Sequence, residues 1–238
     1  MAALLSVNVN KIALLRKSRG ADFPNVLKFS QDLIKLGAHG ITIHPRPDER
    51  HAKYADAYIL KKNIDVELNI EGYPSADFLD MVCEVKPAQC TLVPDAPDAI
   101  TSNAGWDTIK HRDYLREVIS EFKSHGIRTS IFVDPELKII EGAAETGADR
   151  IELYTEQFAV DYAKGMENAA KSYAACSQLA YELKLGVNAG HDLSLDNIGY
   201  FGNNVPHLDE VSIGHALISE ALYMGLEKTI QKYLKLLK

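Results

Sequence analysis

Four residues able to move protons stand at the ends of short apolar runs: His44, Glu71, His191 and His215. Imidazole titrates near neutrality, and partial burial raises a glutamate toward the same range. Such a set can carry protons to and from a substrate. Arg46, Arg50 and His51 follow the run that ends in His44 and could pair with a phosphate. Gly190-His191-Asp192 and Gly214-His215 each place glycine beside histidine, and the second opens a helical pattern. Backbone N–H groups and the positive end of a helix bind anions at such places, although both glycines could simply permit tight turns. Asn8, Asn10 and Lys11 close the first apolar run, and Thr101 lies on a polar loop over 95–107 that could close as a lid.

Each candidate also has a plain structural reading. A lone histidine at a strand end is commonly a hydrogen-bonded rim residue; several at one level of a fold, with a glutamate, point to an active site. His39, His111, His125 and His207 fall in helix ends or loops and are assigned to the surface. Arg16 and Lys17 are read as a solvated face, and Arg19, beside Gly20, either clamps an anion or faces water. His44, Glu71 and His191 would compose a His2Glu metal set, but their sequence separation is too wide to test, and no metal is called for. No glycine-rich nucleotide loop occurs. Cys83, Cys90 and Cys176 are odd in number and lack CxxC spacing. Neither a disulfide framework nor a zinc site is expected, and a reducing compartment follows. Cys90 and Cys176 read as buried, inert thiols.

The elements that must position these groups alternate. Short runs rich in Val, Ile, Leu or Thr cover 4–8, 40–44, 66–71, 89–93, 129–133, 150–154, 186–188 and 211–214. They are too short for helices and predict eight strands. Helical spacing covers 26–36, 56–62, 75–85, 114–125, 136–146, 164–183 and 215–237, with a short helix near 194–196. Ser75 or Asp77 could start one helix, and Gly37, Gly126 and Gly147 sit just past three helix ends, where a left-handed residue is wanted. Strict alternation predicts parallel strands with right-handed crossovers. A closed (β/α)8 barrel over 1–238 is favoured, with an open doubly wound sheet as the alternative. In a barrel the chemistry belongs at the C-terminal ends of the strands, where the residues above fall.

The 238 residues suit one such barrel, and a net charge of −7 with histidines neutral disfavours a broad nucleic-acid surface. The apolar start is too short to span a bilayer and lacks signal-peptide features, so a cytoplasmic protein without nucleic-acid or membrane partners is expected.

Taken in order, the segments Ser6-Val7-Asn8-Val9-Asn10-Lys11-Ile12-Ala13 with Arg19-Gly20, Gly40-Ile41-Thr42-Ile43-His44-Pro45-Arg46 with Arg50-His51, Leu68-Asn69-Ile70-Glu71, Thr91-Leu92-Val93-Pro94, Val187-Asn188-Ala189-Gly190-His191 and Ser212-Ile213-Gly214-His215-Ala216 resemble the pyridoxine 5′-phosphate synthase family. The resemblance implies a (β/α)8 barrel, usually an octamer, that needs no organic cofactor. It implies condensation of two phosphorylated small molecules, 1-deoxy-D-xylulose 5-phosphate and 3-amino-2-oxopropyl phosphate, to pyridoxine 5′-phosphate, phosphate and water in vitamin B6 biosynthesis. His44 and Glu71 would accept protons and His191 would donate one. Asn8, Arg19, Gly214 and His215 would hold the amino-ketone phosphate; Arg46, His51 and Thr101 would hold the sugar phosphate. The chain departs from the family at Asn10-Lys11, where Asp-His is common, at Asp192, where glycine stands, and at Glu156, which replaces a small residue. Asp192 is expected to turn its side chain away from a phosphate while offering its N–H. On the residues alone, a phosphosugar aldolase using Lys11, an epimerase, or a non-catalytic phosphometabolite binder remain alternatives.

Overall fold

The computed structural model describes residues 3–94 and 104–238. Thr101, and most of the loop expected to act as a lid, lie outside the described residues. Eight strands close into a barrel in sequence order, every neighbouring pair parallel. They are β1 (Leu4–Asn8), β2 (Gly40–Ile43), β3 (Glu67–Gly72), β4 (Gln89–Leu92), β5 (Arg128–Val133), β6 (Arg150–Tyr154), β7 (Gly186–Gly190) and β8 (Leu208–Ile213). The helices among the described residues are α1 (Asn10–Lys17), α2 (Val26–Lys35), α3 (Tyr54–Asn63), α4 (Ala76–Val85), α5 (Arg112–Ser124), α6 (Leu137–Glu145), α7 (Glu156–Ala163), α8 (Lys171–Glu182), α9 (Ile198–Asn204), α10 (His215–Met224) and α11 (Leu226–Leu236).

Period-two alternation sorts each strand into two faces. Leu5, Val7, Ile41, Ile43, Ile70, Leu92, Ile131 and Leu153 belong to the buried apolar core shared with the helices. The opposite parity is mostly polar, and its side chains meet across the barrel. Arg128 on β5 pairs with Glu67 on β3 over the intervening β4, whose Gln89 Oε1 accepts from Arg128 Nε at 2.9 Å. Ser6 and Thr42 hydroxyls are 2.7 Å apart, and Thr91 donates to Asn69 Oδ1 at 3.1 Å. Barrel interiors are ordinarily filled by branched apolar side chains; this one is held largely by hydrogen bonds.

Three helical expectations change. Only α8 falls inside the pattern read as one helix over 164–183: residues 164–170 form the turn after α7, where Gly165 takes φ +73°, and the helix begins at Lys171. The pattern over 215–237 breaks at Gly225, φ +82°, into α10 and α11. The short helix expected at 194–196 begins later, as α9. Helix α1 was not expected; Asn8 Oδ1 accepts from Asn10 N at 3.0 Å as the chain turns into it. This helix also corrects Arg16, which is not a solvated side chain. It is buried and grips Asp56 of α3 through two bonds of 2.7 Å. Gly37, Gly126 and Gly147 do take positive φ, as their positions predict.

Candidate active site

The strand ends meet at a cavity of about 370 Å³ whose lining includes Asn8, Asn10, Lys11, His44, Arg46, His51, Glu71, His191, Asp192, Gly214 and His215. Two sequence-derived candidates are not among the residues seen at the mouth. Arg19 is exposed in the turn after α1 and is not part of the lining, and Thr101 is not described.

The first two loops are tied by amide side chains. Asn8 Nδ2 donates to Glu71 Oε2 at 3.3 Å, linking β1 to β3 across the mouth. Asn10 Oδ1 accepts from the His44 backbone N–H at 2.9 Å, so Asn10 aligns the end of β2. His44 then presents Nδ1 3.8 Å from Glu71 Oε2, with both side chains nearly sealed from solvent. Burial holds the His44 pKa well below 6.5, and the charges of Arg46, His51, His191 and Arg50 push it the same way. His51 lies edge-on to His44 at 6.3 Å between ring centroids. Its Nδ1 accepts from Ala52 N at 2.9 Å, which leaves the neutral ring's proton on Nε2. Burial, then Arg46, Arg50 and Lys11, bring the His51 pKa down to about 4. Two histidines depressed by the same cations mark a strongly positive wall, the environment a phosphate dianion requires.

The opposite wall carries His191. Its φ of +82° is unusual for a side-chain-bearing residue and is held by its neighbours. Thr155 donates its hydroxyl proton to the Gly190 carbonyl and accepts from Asp192 N at 3.2 Å; Asn197 Nδ2 donates to the Asp192 carbonyl at 3.1 Å. The His191 ring packs on Phe132 at 4.9 Å and Tyr154 at 6.0 Å. Its Nδ1 lies 3.9 Å from Glu152 Oε1, a carboxyl 1 % exposed. Burial and the charge of Glu210 push Glu152 up to about 8. Glu210, also buried, rises to about 7 although Arg150 lies 3.5 Å away. Among the described residues neither Glu152 carboxyl oxygen has a hydrogen-bond partner, in keeping with a carboxyl that retains its proton.

Asp192 corrects an expectation. Its N–H is engaged by Thr155, and its carboxyl shares the cavity with Glu156 and His215. Burial and Glu156 raise its pKa, while His215 lowers it. Gly190 and Gly214 are small for packing rather than for turning, since neither has a positive φ. A Cβ on Gly190 would sit 2.6 Å from the Ser212 carbonyl oxygen, and one on Gly214 would sit 3.1 Å from Asn8 Cβ. Gly214 precedes α10, so His215 stands in that helix's first turn, where the dipole favours an anion.

Tyr154, Ser212 and Leu14 also line the cavity, with Glu152 beneath it, and sequence reasoning gave none of the four a role. Tyr154 donates to Glu156 Oε2 at 2.7 Å. The available signal was parity: Glu152 and Tyr154 are two apart on β6 and so share its inward face. Of the remaining histidines, His39 and His207 are exposed and His111 and His125 partly so; none lines the cavity.

Residues 5–238 match the family described as pyridoxal phosphate biosynthesis protein PdxJ. The chain is 70 % identical over 234 residues to the pyridoxine 5′-phosphate synthase of Christiangramia forsetii, covering 98 % of this chain and 99 % of that one. It is 62 % identical over 234 residues to the enzyme of the same name from Flavobacterium johnsoniae, again covering 98 % and 99 %. Among solved structures, N-(5′-phosphoribosyl)anthranilate isomerase from Pyrococcus furiosus shares the fold at a TM-score of 0.65 and 9 % identity, covering 99 % of this chain and 98 % of that one.

Proposed function

Since the chain belongs to the pyridoxal phosphate biosynthesis protein PdxJ family, we propose that its barrel mouth joins 1-deoxy-D-xylulose 5-phosphate to 3-amino-2-oxopropyl phosphate. The products are pyridoxine 5′-phosphate, inorganic phosphate and water. The observation that carries this is the convergence of His44, Glu71 and His191 on one cavity whose walls also bear anion-binding groups. Arg46, His51 and Lys11 receive one phosphate. Gly214 and His215, at the start of α10, receive the other with help from Asn8. Holding both substrates by their phosphates brings amine and ketone together and removes much of the entropic barrier.

Imine formation expels water from the carbinolamine, and His191 supplies the proton that the departing hydroxyl needs. Glu71 and His44 then take carbon-bound protons as the chain tautomerises, phosphate leaves, the ring closes and a second water departs from the new ring hydroxyl as the ring becomes aromatic. His44 suits the accepting role because its depressed pKa leaves it neutral at physiological pH. Glu152 would steady His191 from below. Arg19 and Thr101 keep the substrate-binding roles that the resemblance gives them, Arg19 only if the turn after α1 or another subunit carries it to a mouth.

Mixing the two substrates with the enzyme should produce pyridoxine 5′-phosphate, followed by absorbance and mass. Glu71→Gln and His191→Asn should each cut kcat by about 10²–10⁴-fold. Turnover left intact by both would remove the proposed catalytic roles, and no product from wild type would remove the reaction.

The chain also self-assembles in this proposal, as a homo-octamer. Leu222 and Tyr223, adjacent on α10, are 77 % and 92 % exposed, and neighbouring large apolar side chains so open to water mark a contact surface in this proposal. Among the described residues no helix is long and apolar enough to cross a membrane, and the three cysteines are free. Both features support work in the cytoplasm.

A further inference from the structure

Among the described residues, one group of metal-ligating side chains gathers away from the mouth. Cys83, Glu121 and His125 each offer a ligand atom, and these atoms all lie within 4.8 Å of one another. Cys83 is in the last turn of α4, Glu121 in the last turn of α5, and His125 caps α5. In a (β/α)8 barrel the helices return the chain to the start of the next strand, so both helix ends lie at the rim opposite the mouth. The three residues therefore join two neighbouring outer helices, remote from His44, Glu71 and His191.

Sequence spacing argued against a zinc site because no CxxC pair exists, but a ligand set assembled from two helices leaves no such spacing. His125 Nδ1 is 3.5 Å from Glu121 Oε1. Zinc–nitrogen and zinc–oxygen bonds of about 2.0–2.2 Å at tetrahedral angles separate two ligand atoms by about 3.3–3.6 Å. That spacing suits a shared ion once Nδ1 exchanges its contacts with the Glu121 carbonyl oxygen at 3.1 Å and Ser124 Oγ at 3.2 Å for the metal, and the thiol must close the remaining distance by a change of rotamer. The donor set is one sulfur, one nitrogen and one oxygen. Calcium and magnesium want six or more oxygens, whereas borderline divalent ions accept this mixture. Charge also fits, since a thiolate and a carboxylate together neutralise a dication in a place where Cys83 and His125 are half-buried. Exposed Glu121 leaves a path from solvent.

We propose that Cys83, Glu121 and His125 bind a zinc-like divalent cation, completed by water, that clips α4 to α5 on the outside of the barrel. The Cys83 thiol proton passes to solvent as the sulfur–metal bond forms. The clip acts on stability and leaves the mouth untouched.

Titrating the metal-free full chain with Co²⁺ tests this directly. A single equivalent should produce a sulfur-to-cobalt charge-transfer band, and Zn²⁺ should abolish it by displacement. The mouth could also take a cation through His44, Glu71 and His191, but it has no thiol in its lining, so the band reports the outer site. Cys83→Ser should lose the band and keep wild-type turnover. Glu121→Gln and His125→Ala, changes on exposed or half-exposed side chains, should weaken Zn²⁺ binding by at least about tenfold. Zn²⁺ should raise the melting temperature of wild type and not of Cys83→Ser. His191→Asn should retain the band. The assignment is overturned by a wild-type titration without the band, by a band that survives Cys83→Ser, or by Zn²⁺ affinity unchanged in both Glu121→Gln and His125→Ala. If Cys83→Ser fails to fold, the last comparison decides alone.

Discussion

His44 and Glu152 have opposite electrostatic problems, and each makes a measurable demand. The first loses its proton early because burial and the cations around it, Arg46 foremost, oppose a second positive charge. Replacing Arg46 by Met should move the His44 pKa upward toward 6.5, read as the pH midpoint of its ring resonances by NMR; a midpoint that stays put would mean burial alone sets it. Glu152 keeps its proton to about 8 in the fold, against an ordinary value of 4.5. Between those values the folded chain binds more protons than the unfolded chain, so stability falls as pH rises. Glu152→Gln removes this loss. The variant should melt higher than wild type at pH 8 and close to it at pH 4.5, while turnover drops because His191 loses its neighbour at 3.9 Å. Equal melting temperatures at pH 8 would refute the buried-carboxyl account. Stability held back for the sake of an active-site group is a familiar exchange.

Elements are joined here by a few polar fastenings whose removal should show in stability. Arg16 of α1 and Asp56 of α3, 8 % and 5 % exposed, form a two-bond ion pair. Breaking one side leaves a buried charge, so Arg16→Met or Asp56→Leu alone should cost about 3–5 kcal/mol, whereas the double change should cost less than either. Denaturant unfolding of all four forms gives the cycle; simple additivity would show that the pair is solvated. At the β7 end, Gly190→Ala places a Cβ 2.6 Å from the Ser212 carbonyl oxygen. Overpacking there should cost about 1–3 kcal/mol, and it should displace His191, lowering kcat more than affinity for substrate. Gly147→Ala is the control. At φ +82° with no atom within 4 Å of the added Cβ, its cost is conformational, about 1–2 kcal/mol, with kcat unchanged.

For the molecule as a whole, the cavity's positive wall should couple anion binding to folding. Inorganic phosphate at a hundred times its Kd should add about 2.7 kcal/mol to stability, seen as a rising melting temperature with concentration. Arg46→Met should flatten that rise, and an unflattened response would place the anion elsewhere. Assembly is the second molecular property. Tyr223→Glu puts a charge on the most exposed aromatic ring of α10 and should shift the particle to smaller size in sedimentation; an unchanged size would exclude this face from the interface.

The order of strands and the residues at their C-terminal ends were legible from sequence, because backbone sterics and the two-residue period act locally. Eight β-branched runs could be counted, glycine at 37, 126 and 147 marked helix ends, and His44, Glu71, His191 and His215 stood out as strand-end chemistry. The late start of α8 at Lys171 and the helix break at Gly225 were not legible, since apolar spacing runs across both places. Nor was the burial of Arg16, which depends on a partner forty residues away, or the role of Glu152, whose raised pKa comes from burial inside the closed barrel and then from Glu210 on another strand. Cys83, Glu121 and His125 met only when α4 and α5 packed side by side. Local periodicity identifies an element and the face it buries; long-range electrostatics and contacts between elements arise only when closure of the barrel brings distant side chains together.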